Sequence, residues 1–168
     1  MDSRDLFLIS ALLAAGTLVR FVLVLFGTPV TPNVMVAFYG LAIMLTRSSF
    51  PAAIGIGFTG GALDAMVSSS VFNPAFLVSE PFGGAVCIVS FLVLEGRSRL
   101  APALAVLLAT LASGFSFTGI ALSVPGTQVI EVFSGVPLFL DQIIPVILIT
   151  SLVNALIAGL LYPRLKKE

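Results

Sequence analysis

Residues 5–27 read DLFLISALLAAGTLVRFVLVLFG, an apolar stretch with a single basic residue, Arg20, near its end. About 20 apolar residues are enough for an α-helix to cross a bilayer, so this stretch is long enough to cross once. The leader over residues 1–5 carries no net positive charge, whereas signal peptides have a basic start and a core of only about 7–15 apolar residues. The stretch therefore predicts a first transmembrane helix that is retained in the protein.

The composition of the whole chain is that of a membrane protein. Of its 168 residues, 58% are hydrophobic and 10% are charged, and the mean hydropathy is +1.17. A soluble domain carries roughly 25% charged residues, so this chain lacks the residues needed to cover a water-facing surface. The formal net charge is zero, and we therefore expect no binding of nucleic acid.

The residue types that are missing exclude several classes of function. The chain has no histidine, which removes Ser-His triads, imidazole zinc sites and histidine proton relays. It has no Gly-x-x-x-x-Gly-Lys phosphate loop and no Gly-x-Ser-x-Gly nucleophile elbow. Cys87 is the lone cysteine, so no internal disulfide is possible. We expect a protein that is not an enzyme, without catalytic residues, bound metal or cofactor.

Six apolar segments predict an all-α membrane protein in which residues 1–168 form one domain. Prolines mark the starts of most segments, where the missing N–H has no helical partner to lose. The second segment is short for a full span. The predicted helices cover residues 5–27, 32–46, 51–69, 74–94, 101–124 and 137–162.

The basic residues predict the orientation of this protein in the bilayer. Seven of the eight Lys and Arg residues fall on one side of an alternating six-span arrangement, and the positive-inside rule assigns that side to the cytoplasm. Both chain ends are then cytoplasmic in a multi-pass protein of the cell membrane. The longest loop on the other side, 125–136, fits either a lid or a solvated connector. The seven residues are Arg4, Arg47, Arg97, Arg99, Arg164, Lys166 and Lys167.

Three ionisable residues, Arg20, Asp64 and Glu80, lie inside predicted helices. Such groups cost several kcal/mol in a bilayer unless they are paired or hydrated, so each is a candidate for a functional role. At about 1.5 Å per residue, Arg20 and Asp64 lie roughly 22 Å and 20 Å from the cytoplasmic end, and Glu80 about 9 Å from the outer end. In a core about 30 Å thick, these depths predict one charged layer in the outer half.

Two interpretations of this charged layer stay open. A buried Arg–carboxylate pair would fix helix packing, but it needs only one acid. A polar cavity open to the outside would use both acids and would suit a zwitterion, with the guanidinium on its carboxylate and an acid on its ammonium. Pro81 directly follows Glu80 and removes a backbone hydrogen bond, an interruption that is tolerated where a helix lines a cavity. Asn33 and Asn154 are secondary polar candidates, and Tyr39 is an aromatic candidate for stacking on a ring.

Several short motifs resemble one family of transporters. Ala11 and Ala15 form a small-xxx-small pair on the first predicted helix, and an intramolecular helix contact is an equally good explanation of it. With six short spans and cytoplasmic ends, this pair resembles the substrate-binding S-components of energy-coupling factor (ECF) transporters, and their tryptophan-transporter branch most of all. The motifs shared with that branch are TPNVM at 31–35, GFTGGAL at 57–63, VNA at 153–155 and LYP at 161–163.

The resemblance implies a substrate-capture subunit of an ATP-driven importer. In that family the alanine motif docks on a transmembrane coupling subunit, and two ATPase subunits drive transport. The implied substrate is an amino acid or vitamin-like molecule, with tryptophan as the first expectation; Arg20 would hold a carboxylate, and Asp64 or Glu80 an ammonium or ring N–H. Two other classes stay open, namely a self-sufficient channel or secondary carrier that uses Asp64 and Glu80, and a structural or assembly subunit.

Overall fold

The computed structural model describes residues 2–26, 31–124 and 129–166, apart from the side chain of Ile130. The regular secondary structure of these residues is all helical, as predicted, with one short 3-10 turn at Asn73–Ala75. The α-helices are α1 (Ser3–Val24), α2 (Met35–Leu45), α3 (Phe50–Val67), α4 (Phe76–Leu94), α5 (Ala101–Ser123), α6 (Val129–Phe133) and α7 (Val136–Leu165).

Five helices are long and apolar enough to cross a membrane, as in a multi-pass membrane protein: α1, α3, α4 with its 3-10 turn, α5 and α7. The predicted helix over 32–46 was too long, because α2 has only 11 residues. At 1.5 Å per residue it is about 16 Å long, roughly half of a 30 Å core. The Met35 amide donates to the Asn33 side-chain oxygen at 3.1 Å, so α2 begins after Asn33 rather than at Pro32.

The remaining predicted helices end within three residues of the observed ones. The first starts earlier than predicted because Asp2 and Asp5 form a capping box: the Asp5 amide donates to Asp2 Oδ1 at 2.9 Å and the Asp2 amide to Asp5 Oδ2 at 3.4 Å. Side-chain acceptors of this kind satisfy amides that have no partner within the helix.

The long loop predicted over 125–136 is not entirely loop, because it contains the short helix α6. Ser134 and Gly135 separate α6 from α7 with φ values of 58° and 134°, a backbone region that ends a helix and that glycine adopts most readily. The parts of the predicted helices and loops that fall on residues 27–30 and 125–128, and the basic residue Lys167, lie outside the described residues.

The short helix α2 lies at the centre of the bundle and contacts α1, α3, α4, α5 and α7. All of its residues except Phe38 and Leu45 are buried. Around it, α3 and α4 approach each other closely at glycines: a Cβ added at Gly57 would lie 2.5 Å from the Glu80 carbonyl oxygen, and one at Gly84 would lie 2.6 Å from that of Ala53. Small residues permit such backbone contact between helices in lipid.

Two apolar clusters divide the core into two ends. The first packs around Ile43, Phe91 and Tyr162, close to the exposed ion pair of Arg47 with Glu95 at 2.5 Å; we call this the basic end. The second packs around Phe117 and Phe139, where α1, α3 and α5 end and α4 begins; we call this the cavity end. Buried polar side chains lie between the two clusters on α4, α5 and α7.

Candidate functional site

The segment over residues 31–34 leads into α2 without helical structure, and side chains from other helices bind its carbonyl groups. Arg20 Nη1 donates to the carbonyl oxygens of Thr31, at 2.8 Å, and of Pro32. Asn154 Nδ2 donates to the carbonyl oxygen of Asn33 at 2.9 Å. Irregular backbone within a membrane protein is tolerated only where it is buried in protein or lines a hydrated cavity, and these bonds supply the partners that a helix would otherwise provide.

Arg20 and Asp64 form a buried ion pair near the ends of α1 and α3. Their Nε and Oδ1 atoms lie 3.6 Å apart, and the side chains are 2% and 0% exposed. Arg20 Nη2 also donates to Ser68 Oγ at 3.2 Å. The structure thus brings together two of the three charges that the sequence places in one layer. It also directs most N–H groups of Arg20 to the protein itself.

Glu80 is the third member of this layer and lies in the first turns of α4, fully buried. Its Oε1 atom accepts hydrogen bonds from Asn33 Nδ2 at 2.8 Å and from Ser113 Oγ at 2.6 Å. Its Oε2 atom has no hydrogen-bond partner among the described residues. The Tyr39 hydroxyl lies beside this carboxylate but not in hydrogen-bonding geometry. Glu80 therefore keeps one buried oxygen whose hydrogen-bonding capacity is unused among the described residues.

A cavity of about 70 Å³ lies against these residues at the cavity end. A dry cavity of about 150 Å³ is known to hold a benzene molecule, so this one admits water or a very small solute unless it widens. Its polar wall consists of Arg20, Thr31, Asn33, Glu80, Thr110, Ser113 and Thr150, with Ser70 beside them. Its aromatic wall consists of Phe76, Phe117, Phe133 and Phe139, and the rings of Phe76 and Phe117 lie 4.8 Å apart.

The residues predicted to bind a solute divide into two groups. Arg20, Asn33 and Glu80 line the cavity. The other three, Tyr39, Asp64 and Asn154, are fully buried and do not line it. Asp64 supports Arg20, and Asn154 supports the segment before α2, so these two act on the cavity wall from behind it.

The predicted docking pair lies apart from the cavity, on the outer surface of α1. Ala11 is exposed and Ala15 is half-buried. This surface is covered by lipid or by another protein in a membrane.

The hydroxyls of Thr110, Ser113 and Thr150 are among the cavity-lining groups that the sequence reasoning missed. The sequence does contain a spacing that groups these side chains. Thr110 and Ser113 are three residues apart, and Thr150 and Asn154 are four residues apart, on largely apolar helices. Such spacings place side chains on one helix face. Ser and Thr are common in membrane helices as packing residues, which is why spacing alone does not single them out.

Comparison of the chain with family models, with curated proteins and with solved structures gave no match. The functional conclusion therefore depends on the residues and their geometry.

Proposed function

We propose that this protein is the membrane-embedded solute-capture subunit of an ATP-driven importer, an S-component of the ECF type. The observation that carries the proposal is the cavity itself. A buried carboxylate, Glu80, keeps one oxygen that has no partner in the described part of the chain, and its side chain lines a cavity with aromatic walls. Ionisable groups within membrane spans are retained mainly where they bind or transport something. A concave, mostly apolar pocket with a few convergent polar groups is the usual form of a small-molecule site.

The basic residues support an outward-facing cavity. Arg47, Arg97, Arg99, Arg164 and Lys166 are at the helix ends opposite the cavity, which the positive-inside rule assigns to the cytoplasm. In this arrangement α2 together with the segment before it makes the sixth crossing, both chain ends are cytoplasmic, and the membrane is the plasma membrane. A solute then reaches Glu80 from outside the cell.

Energy would come from partner subunits, since this chain contains no phosphate loop. The resemblance to ECF transporters implies that these partners are a transmembrane coupling subunit and two ATPases. The exposed side of α1 with Ala11 and Ala15 is the proposed docking face, because small side chains let a partner helix approach closely in lipid.

The solute is proposed to be an amino acid or vitamin-like small molecule. The sequence resemblance implies tryptophan. Its indole ring, however, is larger than benzene, which occupies a cavity of about 150 Å³. Binding of such a ring therefore requires the cavity of about 70 Å³ to widen. Separation of α6 from α7, at the positive φ angles of Ser134 and Gly135, is one movement that would do so, since Phe133 forms part of the wall.

A test of the proposed function is to purify the protein in mild detergent, denature it and identify the released small molecules by mass spectrometry. The same solute, isotopically labelled, is then offered to proteoliposomes that contain only this protein. We expect binding without accumulation, because the ATPases are missing. Accumulation driven by an ion gradient would instead establish a secondary carrier, and a protein with no retained or bound solute would be a structural subunit.

A further inference from the structure

We infer that the cavity selects a solute with a positively charged or N–H-donating group and an apolar body, and that it disfavours a free carboxylate. This inference rests on the proposed capture function and replaces free amino acids by amines and related cations as the substrate class. It revises the expectation of a zwitterion, in which Arg20 would hold the carboxylate.

The first argument is the charge of the buried layer. The layer contains one cation, Arg20, and two acids, Asp64 and Glu80, all buried. Asp64 is paired with Arg20 at 3.6 Å, which leaves Glu80 without a cationic partner among the described residues. The stretches 27–30 and 125–128, which lie outside the described residues, contain no charged residue. A single positive charge on the solute would therefore balance the layer, and burial of an unpaired charge is costly.

The second argument is that Arg20 is already engaged. One of its terminal nitrogens donates to two backbone carbonyls, those of Thr31 and Pro32, and the other donates to Ser68 Oγ. A carboxylate usually binds arginine through two parallel N–H groups. To make such a fork available, Arg20 would have to release either the segment before α2 or its contacts with Asp64 and Ser68.

The third argument is that three donors of the polar wall are already engaged, while acceptor atoms in it remain without partners. Asn33 and Ser113 donate to Glu80, and Thr110 donates to the Val106 carbonyl at 2.8 Å. Glu80 Oε2 and Thr150 Oγ1 have no hydrogen-bond partner among the described residues. A donor-rich head group therefore satisfies the wall, whereas a carboxylate head group would add acceptors where acceptors already prevail.

The charged side chains outside the cavity are negative, like Glu80 inside it. Glu131 on α6 and Asp141 on α7 are exposed at the cavity end, and no Lys or Arg is found in residues 21–46 or 100–163. An acidic approach raises the local concentration of cations.

The experiment measures thermal stabilisation and titration calorimetry of the intact purified protein with four compounds that share a phenyl body, so that all four require the same widening of the cavity of about 70 Å³. They are phenethylamine, 2-phenylethanol, phenylalanine and 3-phenylpropionate, which are cationic, neutral, zwitterionic and anionic at pH 7. We expect phenethylamine to bind at least tenfold more tightly than each of the others. Glu80→Gln should remove at least tenfold of this affinity, and Glu95→Gln, which removes an acid of the Arg47 ion pair at the opposite, basic end, should change it less than twofold.

Several results would overturn the inference. Phenylalanine or phenylpropionate binding as tightly as phenethylamine would mean that Arg20 accepts a carboxylate, and equal binding of 2-phenylethanol would mean that the charge of Glu80 is not used. The inference is also overturned if none of the four compounds binds. If Glu80→Gln fails to fold, the ranking on the unchanged protein decides, with Thr150→Val as a second variant expected to weaken phenethylamine severalfold. A retained solute that carries a carboxylate would contradict this inference but would still support the capture function. The capture function itself would be contradicted if the protein neither retained nor bound any solute.

Discussion

Arg20 links three features of the site, because one side chain pairs with an acid, holds non-helical backbone and lines the cavity. Of these three features, Asp64 takes part only in the ion pair. Glu80, by contrast, is held by Asn33 and Ser113, and its other oxygen has no hydrogen-bond partner within residues 2–26, 31–124 and 129–166. The two acids are therefore expected to differ when each is neutralised, with Asp64 serving stability and Glu80 serving affinity.

Neutralising Asp64 tests this division. Asp64→Asn strands the buried guanidinium of Arg20, and breaking a buried pair costs about 3–5 kcal/mol. We expect a large fall in the melting temperature of the detergent-solubilised protein. The double variant Arg20→Met with Asp64→Asn should recover only part of the loss, because the carbonyls of Thr31 and Pro32 also lose their donor. Full recovery would show that Arg20 does not hold the segment before α2, and a melting temperature unchanged by Asp64→Asn would contradict the ion pair.

The convergence of Arg20, Asp64 and Glu80 was predictable from sequence, since helical rise alone places the three at one depth. Their partners were not predictable in the same way. Arg20 binds carbonyls of residues 11 and 12 positions further along the chain, and this depends on the path of a non-helical segment that no periodicity describes. The role of Asn33 as donor to Glu80 and acceptor from Met35 depends on the same path.

At the scale of elements, the crossing of α3 and α4 sets the position of Glu80. Gly57 and Gly61 of α3 face the backbone of α4, with a Cβ at Gly57 meeting the Glu80 carbonyl at 2.5 Å and one at Gly61 meeting the Phe76 carbonyl. The sequence showed this pair as a small-xxx-small motif. This contact between the backbones of α3 and α4 positions the first turns of α4, which contain Glu80 and Pro81. Glu80 thereby lies beside Asn33 of the segment before α2.

Gly57→Ala and Gly55→Ala form a matched pair on this helix. Gly57→Ala forces α3 away from the α4 backbone, and overpacking costs about 1–3 kcal/mol, so we expect a lower melting temperature and weaker solute binding. Gly55 has nothing within 4 Å of an added Cβ, and alanine is favoured over glycine in a helix by about 1 kcal/mol. Gly55→Ala should therefore be neutral or stabilising. Equal behaviour of the two variants would mean that α3 and α4 are not in backbone contact.

The length of α2 was the main failure of sequence reasoning at this scale. Residues 32–34, PNV, continue an apolar segment, and proline is acceptable in the first turn of a helix, so a start at Pro32 was reasonable. The structure starts the helix at Met35 because Asn33 takes the Met35 amide with its side chain, as asparagine does near helix starts. α6 was missed because five residues are too few to show a helical period.

At the scale of the whole molecule, the polar layer lies between two apolar clusters, with the cavity at one end and the basic residues at the other. Composition alone indicated a multi-pass membrane protein, and five apolar helices agree with it. The cavity was not visible in the sequence, because its walls come from distant positions such as Phe76, Phe139 and Thr150. The central claim for the molecule is that this cavity opens to the outside of the cell and receives a solute there.

Cysteine accessibility at the two ends of the bundle tests that claim most directly. In a Cys87→Ala background, Ser70→Cys marks the cavity end and Ser98→Cys marks the basic end, because Ser70 lies by the cavity and Ser98 between α4 and α5. With a membrane-impermeant maleimide on intact cells, we predict labelling of Ser70→Cys, slowed by bound solute, and labelling of Ser98→Cys only after permeabilisation. Labelling of Ser98→Cys in intact cells, with Ser70→Cys protected until permeabilisation, would contradict the outward-facing cavity.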